Sequence, residues 1–251
     1  MLNKFLTLFI VASVLVESAF AGYAYGVDIA QGATVSQFQC IKSSGYSTSF
    51  TQIYMSAGSG SPDVTGCQNV INAYTAGLGT EVYINPSPNS NKQGYQQFDE
   101  ALNQLKSAGI NVRTIWLKVS LPINWSNNIQ YNTNFIQSVI TRARSNGVTL
   151  GIYTNFYDWM QITGSSTAFS QYNLPVWYWG IYGYGPSAEG TADFNDFRNF
   201  ASWNSPSAKT YAMNESCCGV NVGKVAYSAG SKFAELVGAK LTSPLAGSAI
   251  L

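Results

Sequence analysis

The sequence contains no histidine. That absence rules out a Ser-His-Asp or Cys-His catalytic site and any histidine-ligated metal centre; no metal or other cofactor is expected. Charge of either sign is also scarce: 13 Lys and Arg against 12 Asp and Glu make up 10% of 251 residues and leave a net charge of +1. Such a chain has no long-range field with which to gather nucleic acid or an anionic membrane surface. A polysaccharide ligand would have to be held by stacking and hydrogen bonds. Carboxylates are few enough that each can be weighed as a candidate acid. What the chain has in place of charge is aromatic surface, 14% Phe, Trp and Tyr, together with 23 glycines. That composition belongs to ordered chains.

The N-terminus reads MLNK, then the apolar run Phe5–Val16, then ESAFA before Gly22. A basic start, a short apolar run and an Ala19-Phe20-Ala21 cleavage site have the form of a secretory signal peptide. The run is too short for a membrane span. The expected organisation is a signal peptide over 1–21, one domain over 22–230 and a C-terminal tail over 231–251. The tail is too short and polar to read as a lipid-anchor signal. The mature chain is expected to be secreted, to the extracellular space or a vesicle lumen, with no membrane attachment once the signal is removed. Cys40, Cys67, Cys217 and Cys218 suit an oxidising compartment. Because Cys217 and Cys218 are adjacent, bridges from each to Cys40 and Cys67 are expected. Asn124-Trp125-Ser126 and Asn214-Glu215-Ser216 are candidate glycosylation acceptors.

Short strand-like runs alternate with helical ones. The strands are predicted over Tyr25–Ala30, Phe50–Ser56, Glu81–Asn85, Arg113–Ser120, Val148–Asn155, Pro175–Tyr182 and Lys209–Met213. The helices are predicted over Thr34–Ser44, Asp63–Ala76, Gln93–Ala108, Tyr131–Ser145 and Asp193–Ala201. In the third helix Tyr95, Phe98, Leu102 and Leu105 form one stripe, and Gly109 and Gly147 supply stops after the third and fourth. Parallel strands need helical crossovers. The order therefore predicts an α/β fold, an irregular single-domain β/α barrel with parallel strands, less regular after Pro175.

Strand parity sorts the side chains. In RTIWLKVSLPINW, alternation puts Ile115, Leu117 and Val119 toward helices, and Trp116, Lys118 and Ser120 toward the barrel interior. Gly26, Asp28 and Ala30 share a face of the first strand, Tyr83 and Asn85 of the third, Tyr153 and Asn155 of the fifth. The predicted mouth of the barrel therefore holds Asp28, Tyr83, Asn85, Lys118, Ser120, Tyr153 and Asn155, with Trp177 and Trp179 as a further stacking surface. Aromatic faces with a few fixed polar groups suit sugar rings. Lys118 is expected to pair with Asp28 in a structural ion pair.

YGVDIAQG, the tryptophan-bearing central strand, GIYTNFYDW and KTYAMNESCCGVNVGKVAY occur in this order from about Tyr23 to Gly230. Together they resemble glycoside hydrolase family 25, in particular its lysozyme-like proteins of nematodes and protists. The resemblance implies an irregular β/α barrel and cleavage of peptidoglycan between N-acetylmuramic acid and N-acetylglucosamine. By position Asp28 matches the family's first acid. The family's Asp-x-Glu pair, charge-supporting Asp and proton-donating Glu, falls on Lys118 and Ser120, and its late fourth acid falls near Asn221. A positioned general acid is worth about 10²–10⁴ in rate. Ser120 cannot replace it, and Lys118⁺ opposes an oxocarbenium-like transition state. The resemblance therefore implies a secreted protein of innate antibacterial defence that acts on or recognises bacterial peptidoglycan, with little or no hydrolysis. Two alternatives stand beside it: an active muramidase that recruits another acid, such as Glu81 or Asp158, and a protein whose cleft is vestigial.

Overall fold

The computed structural model describes residues 22–228 and 242–250. The expected signal peptide and the greater part of the expected tail lie outside the described residues. Strands and helices alternate as β1 (Tyr23–Ile29), α1 (Val35–Ser43), β2 (Thr48–Met55), α2 (Val64–Thr75), β3 (Gly79–Ile84), α3 (Gly94–Ser107), β4 (Thr114–Lys118), α4 (Ile129–Ser145), β5 (Thr149–Thr154), α5 (Phe156–Thr163) and β6 (Val176–Trp179). Two longer strands, β7 (Ala208–Cys217) and β8 (Val220–Ser228), follow. Local chemistry sets the helix ends. Thr34, Asp63 and Asn128 accept from first-turn amides of α1, α2 and α4. Gly109 and Gly147, at φ 73° and 68°, follow α3 and α4 as the sequence predicts.

The eight strands close into a barrel. β1 to β7 run parallel, neighbour to neighbour. β8 inserts antiparallel between β7 and β1, so the sheet closes with one reversed strand. That strand is not among the predicted ones. It returns through Cys218 and Gly219, both left-handed at φ 54° and 77°, the backbone of a tight hairpin turn. Two further elements differ from expectation. Phe156–Thr163 is helical although its aromatic and β-branched residues disguise it. Asp193–Ala201 contains no helix. Its Phe194, Phe197 and Phe200 mimic a helical stripe, but they are held by ring contacts to Tyr178 and Trp203.

Two cores separate along strand parity. Ile115, Leu117 and Val119 pack outward against Phe98, Leu102 and Leu105 of α3 and the apolar face of α4; Tyr95 stays exposed at the end of the predicted stripe. Inside the barrel, Phe50, Tyr83, Trp116, Tyr153, Trp177 and Tyr227 fill the lumen. Gly151 makes room for Trp116, since a Cβ there would fall 2.2 Å from the indole. The foot of the barrel is closed by the last described segment. Asn111 N–H donates to the Pro244 carbonyl, Gly247 N–H to the Thr80 carbonyl, and Ala249 is buried in the lumen cluster.

Cysteine pairing corrects the expectation of two bridges. Cys40 and Cys218 form one disulfide across 178 residues, while Cys67 and Cys217 are free thiols. The two free thiols serve different clusters. Cys67 lies in the core shared with α3, and Cys217 packs against the cluster beneath α1. Burial pushes the Cys67 thiol up to about 11, helped by the nearby Asp63 charge. The sequon residues Asn124 and Asn214 are exposed.

Candidate functional site

Asp28 stands near the C-terminal end of β1, in register with Phe50 of β2 and Gly223 of β8. Small neighbours clear space for it. A Cβ at Gly223 would lie 3.3 Å from the Asp28 Cβ, and one at Gly26 would meet the Phe50 ring at 2.7 Å. The side chain is half-buried at the mouth of the lumen. Burial raises its pKa above the usual carboxylate value; the Lys118 charge and a hydrogen bond donated by the Tyr83 hydroxyl oppose that rise without cancelling it. The result is a carboxyl group that keeps its proton to higher pH than a solvated aspartate, which a proton donor requires.

Lys118 reaches the same mouth from the end of β4. Register places it beside Tyr153, and its ammonium sits 5.1 Å from the Tyr153 ring centre and 5.8 Å from that of Tyr83. It makes no ion pair among the described residues. The expected Lys118–Asp28 bridge is therefore replaced by two aromatic faces and a longer-range attraction to Asp28. The Tyr153 hydroxyl is buried and makes no hydrogen bond of good geometry; the Thr210 hydroxyl beside it accepts from Trp177 Nε1 at 3.0 Å.

Ser120 is buried two residues on and donates its hydroxyl proton to Asp158 Oδ2. The same oxygen accepts from Trp179 Nε1 at 2.9 Å. Asp158 is fixed in the first turn of α5, where its own N–H donates to the cap Asn155 at 2.8 Å. The structure brings Asp158 to the mouth beside Ser120, 38 positions away in sequence, and only the chain's folding through α5 makes this visible.

The other predicted residues take several roles. Asn155 caps α5. Asn85 is half-buried and donates to Ser56 Oγ at 3.3 Å. Tyr83 and Tyr153 line the floor. Trp177, predicted as a stacking surface, is 1% exposed and wedged among Phe50, Tyr83, Trp116 and Tyr153, so it fills the barrel. Asn221 is exposed and donates to Asn214 Oδ1. Glu81 is sealed in the foot, where it accepts from Trp116 Nε1, Ala249 N–H and Ile250 N–H at 2.8, 2.9 and 3.2 Å. Burial still raises its pKa, but no ligand reaches it. The sequence reading missed three exposed aromatics, Tyr157 at the start of α5 and Tyr182 and Tyr184 in the loop after β6, which are 58, 82 and 72% exposed; Tyr184 is close enough to Tyr153 to affect it electrostatically. Their position just after the C-terminal ends of β5 and β6 is the signal that could have found them. Among the described residues no cluster of three or more Cys, Asp or Glu could hold a metal ion, and no helix is long and apolar enough to cross a membrane.

Comparison with known proteins fits this geometry. The family model described as Lysozyme-like protein 1 matches residues 19–211. Lysozyme-like protein 7 of Caenorhabditis elegans is 48% identical over 216 residues, 86% of this chain and 76% of the relative. Probable GH family 25 lysozyme 2 of Dictyostelium discoideum is 32% identical, with 78% of this chain and 86% of the relative covered. The chain belongs to the lysozyme-like proteins of glycoside hydrolase family 25. A family 25 lysozyme from Aspergillus fumigatus shares the fold at a TM-score of 0.62 and 14% identity, covering 86% of this chain and 98% of that one. The bacterial lysozyme of Streptomyces coelicolor does so at 0.62 and 20% identity, with 86% and 95% covered. The lysozyme-like barrel carries Asp28 and Lys118 at its mouth, with Ser120 buried beside them.

Proposed function

We propose that this lysozyme-like protein is secreted and recognises bacterial peptidoglycan in antibacterial defence, with hydrolysis far weaker than a two-carboxylate lysozyme achieves. One observation carries the reading. Asp28 and Lys118 share a mouth walled by the Tyr83 and Tyr153 rings, and Ser120 is held there by Asp158; on the family resemblance these are the positions of the first acid and of the paired acids. A cation beside Asp28 disfavours the positive charge that glycoside cleavage develops on the sugar ring. Rings and hydrogen-bonding groups suffice for binding.

The Ser120–Asp158 contact favours a second reading of the same mouth. Asp28, which burial keeps protonated to higher pH, is the donor, and Asp158, used by its neighbours only as an acceptor, is the base or charge stabiliser. Such a pair would support slow hydrolysis. Purified mature protein mixed with insoluble cell wall separates the readings. Co-sedimentation without loss of turbidity supports recognition alone. Slow clearing that both Asp28→Asn and Asp158→Asn abolish supports the recruited pair. Neither clearing nor co-sedimentation contradicts both.

A further inference from the structure

Beside the mouth lies a second hollow that the acid positions do not use. It is a cleft of about 240 Å³ between the start of α5, the end of β6 and the loop around residue 198, lined by Phe156, Tyr157, Trp179, Asp196 and Arg198 among others. The Arg198 guanidinium is stacked 3.7 Å from the centre of the Phe156 ring, which fixes its plane and leaves its edge donors available. It makes no ion pair among the described residues. The one carboxylate in the hollow, Asp196, already accepts from the fully buried Lys209 at 2.7 Å and from the Tyr178 hydroxyl at 2.6 Å. The unmatched charge of the hollow is therefore the positive one of Arg198. It opens at the N-terminal end of α5, whose dipole has the same sign.

Trp179 joins this hollow to the mouth. It lines the hollow, while its Nε1 holds Asp158. A sugar chain seated over Asp28 and Asp158 would therefore have a substituent within reach of the hollow. We infer that the hollow is a subsite for a carboxylate carried by the glycan, received by Arg198 with Tyr157 and Trp179 as its apolar walls. Resting on the reading that the mouth takes a peptidoglycan-type glycan, it adds selectivity for acidic amino-sugar chains over neutral ones. Two carboxylates of that polymer have the required chemistry: the lactyl group on the sugar, and the end of an attached peptide stem.

Calorimetric titration of the mature protein with three probes tests this. The probes are a neutral N-acetylglucosamine oligomer, an N-acetylglucosamine–N-acetylmuramic acid disaccharide with its lactyl carboxylate free, and the same disaccharide bearing a peptide stem on that carboxyl. Losing a charge-assisted hydrogen bond costs roughly tenfold or more in affinity. Arg198→Gln is expected to weaken an acidic probe by that factor and leave the neutral one unchanged, and Arg198→Lys, which keeps the charge but not the stacked fork, is expected to fall between. The difference should shrink as salt is raised, because Arg198 is exposed. Loss confined to the disaccharide identifies the lactyl group, and loss confined to the third probe identifies the stem. Equal affinities of native and Arg198→Gln protein for both acidic probes, with the neutral oligomer still bound, overturn the subsite and leave the mouth reading standing. No binding of any probe by the native protein overturns both.

Discussion

The two ends of the barrel bury a carboxylate each, and they treat it in opposite ways. At the foot, Glu81 is enclosed by the last described segment and accepts from an indole and two backbone amides. At the mouth, Asp28 is half-buried, receives one hydroxyl and faces an ammonium across two aromatic rings. Burial raises the pKa of both. A raised carboxyl pKa therefore does not mark a site by itself. What separates the two is whether the remaining hydrogen-bonding capacity is spent. The foot spends it on structure, and the mouth keeps it open toward solvent and ligand.

The contrast breaks most sharply on the aromatics. Trp177→Ala empties the lumen and is expected to cost about 3–5 kcal/mol of stability, read from denaturant unfolding. Tyr184→Ala at the rim should leave unfolding unchanged and weaken glycan binding by several-fold, the worth of one ring contact of about 0.5–1.5 kcal/mol. Stability loss at Tyr184, or none at Trp177, would reverse the assignment of core and rim.

Glu81→Ala should be next in size. It leaves the indole and two amides without an acceptor in a dry site, at a cost of about 3 kcal/mol or more, again measured by denaturant unfolding. An unchanged midpoint would mean that the closing segment does not seal the foot.

Asp28 gives the smaller, pH-dependent effect. Because its folded pKa lies above the ordinary value of 3.8, the native state holds a proton that the unfolded chain has released. Its contribution to stability is therefore greatest at low pH and falls as pH rises through that raised pKa. Glu81, raised from 4.5, adds a decline of the same sign. Asp28→Asn should remove part of the decline in melting temperature between acid and neutral pH and leave the part due to Glu81. A decline identical to the native protein's would show that Asp28 is solvated.

Much of this was legible because β-strand parity is strict. Reading Trp116 and Lys118 inward and Ile115, Leu117 and Val119 outward needed only alternation, and the two cores follow it. The Gly109 and Gly147 stops were legible for a similarly local reason. What escaped depends on contacts distant in sequence. Ser120 and Asp158 are 38 positions apart and meet through a helix whose residues favour strands. Glu81 meets the backbone of Ala249, 168 positions away, so no local pattern tells a foot from a mouth. Trp177 and Trp179 share a strand face, yet only the depth of each in the barrel makes one filler and the other wall. Lys118 was expected to seek a carboxylate, but register with Tyr153 gave it rings.

The most direct test of the central claim places at the mouth the pair of acids that the proposed function takes to be absent. Lys118→Asp with Ser120→Glu removes the cation that opposes glycoside cleavage and supplies a carboxyl beside Asp158. Like charges sharing that space raise the pKa of the new glutamate, which a proton donor needs. Clearing of peptidoglycan suspensions by the native protein and the double variant is the measurement. The account predicts negligible clearing by the native protein and a clear gain in the variant that Asp28→Asn abolishes. Robust clearing by the native protein that survives Asp28→Asn would contradict it.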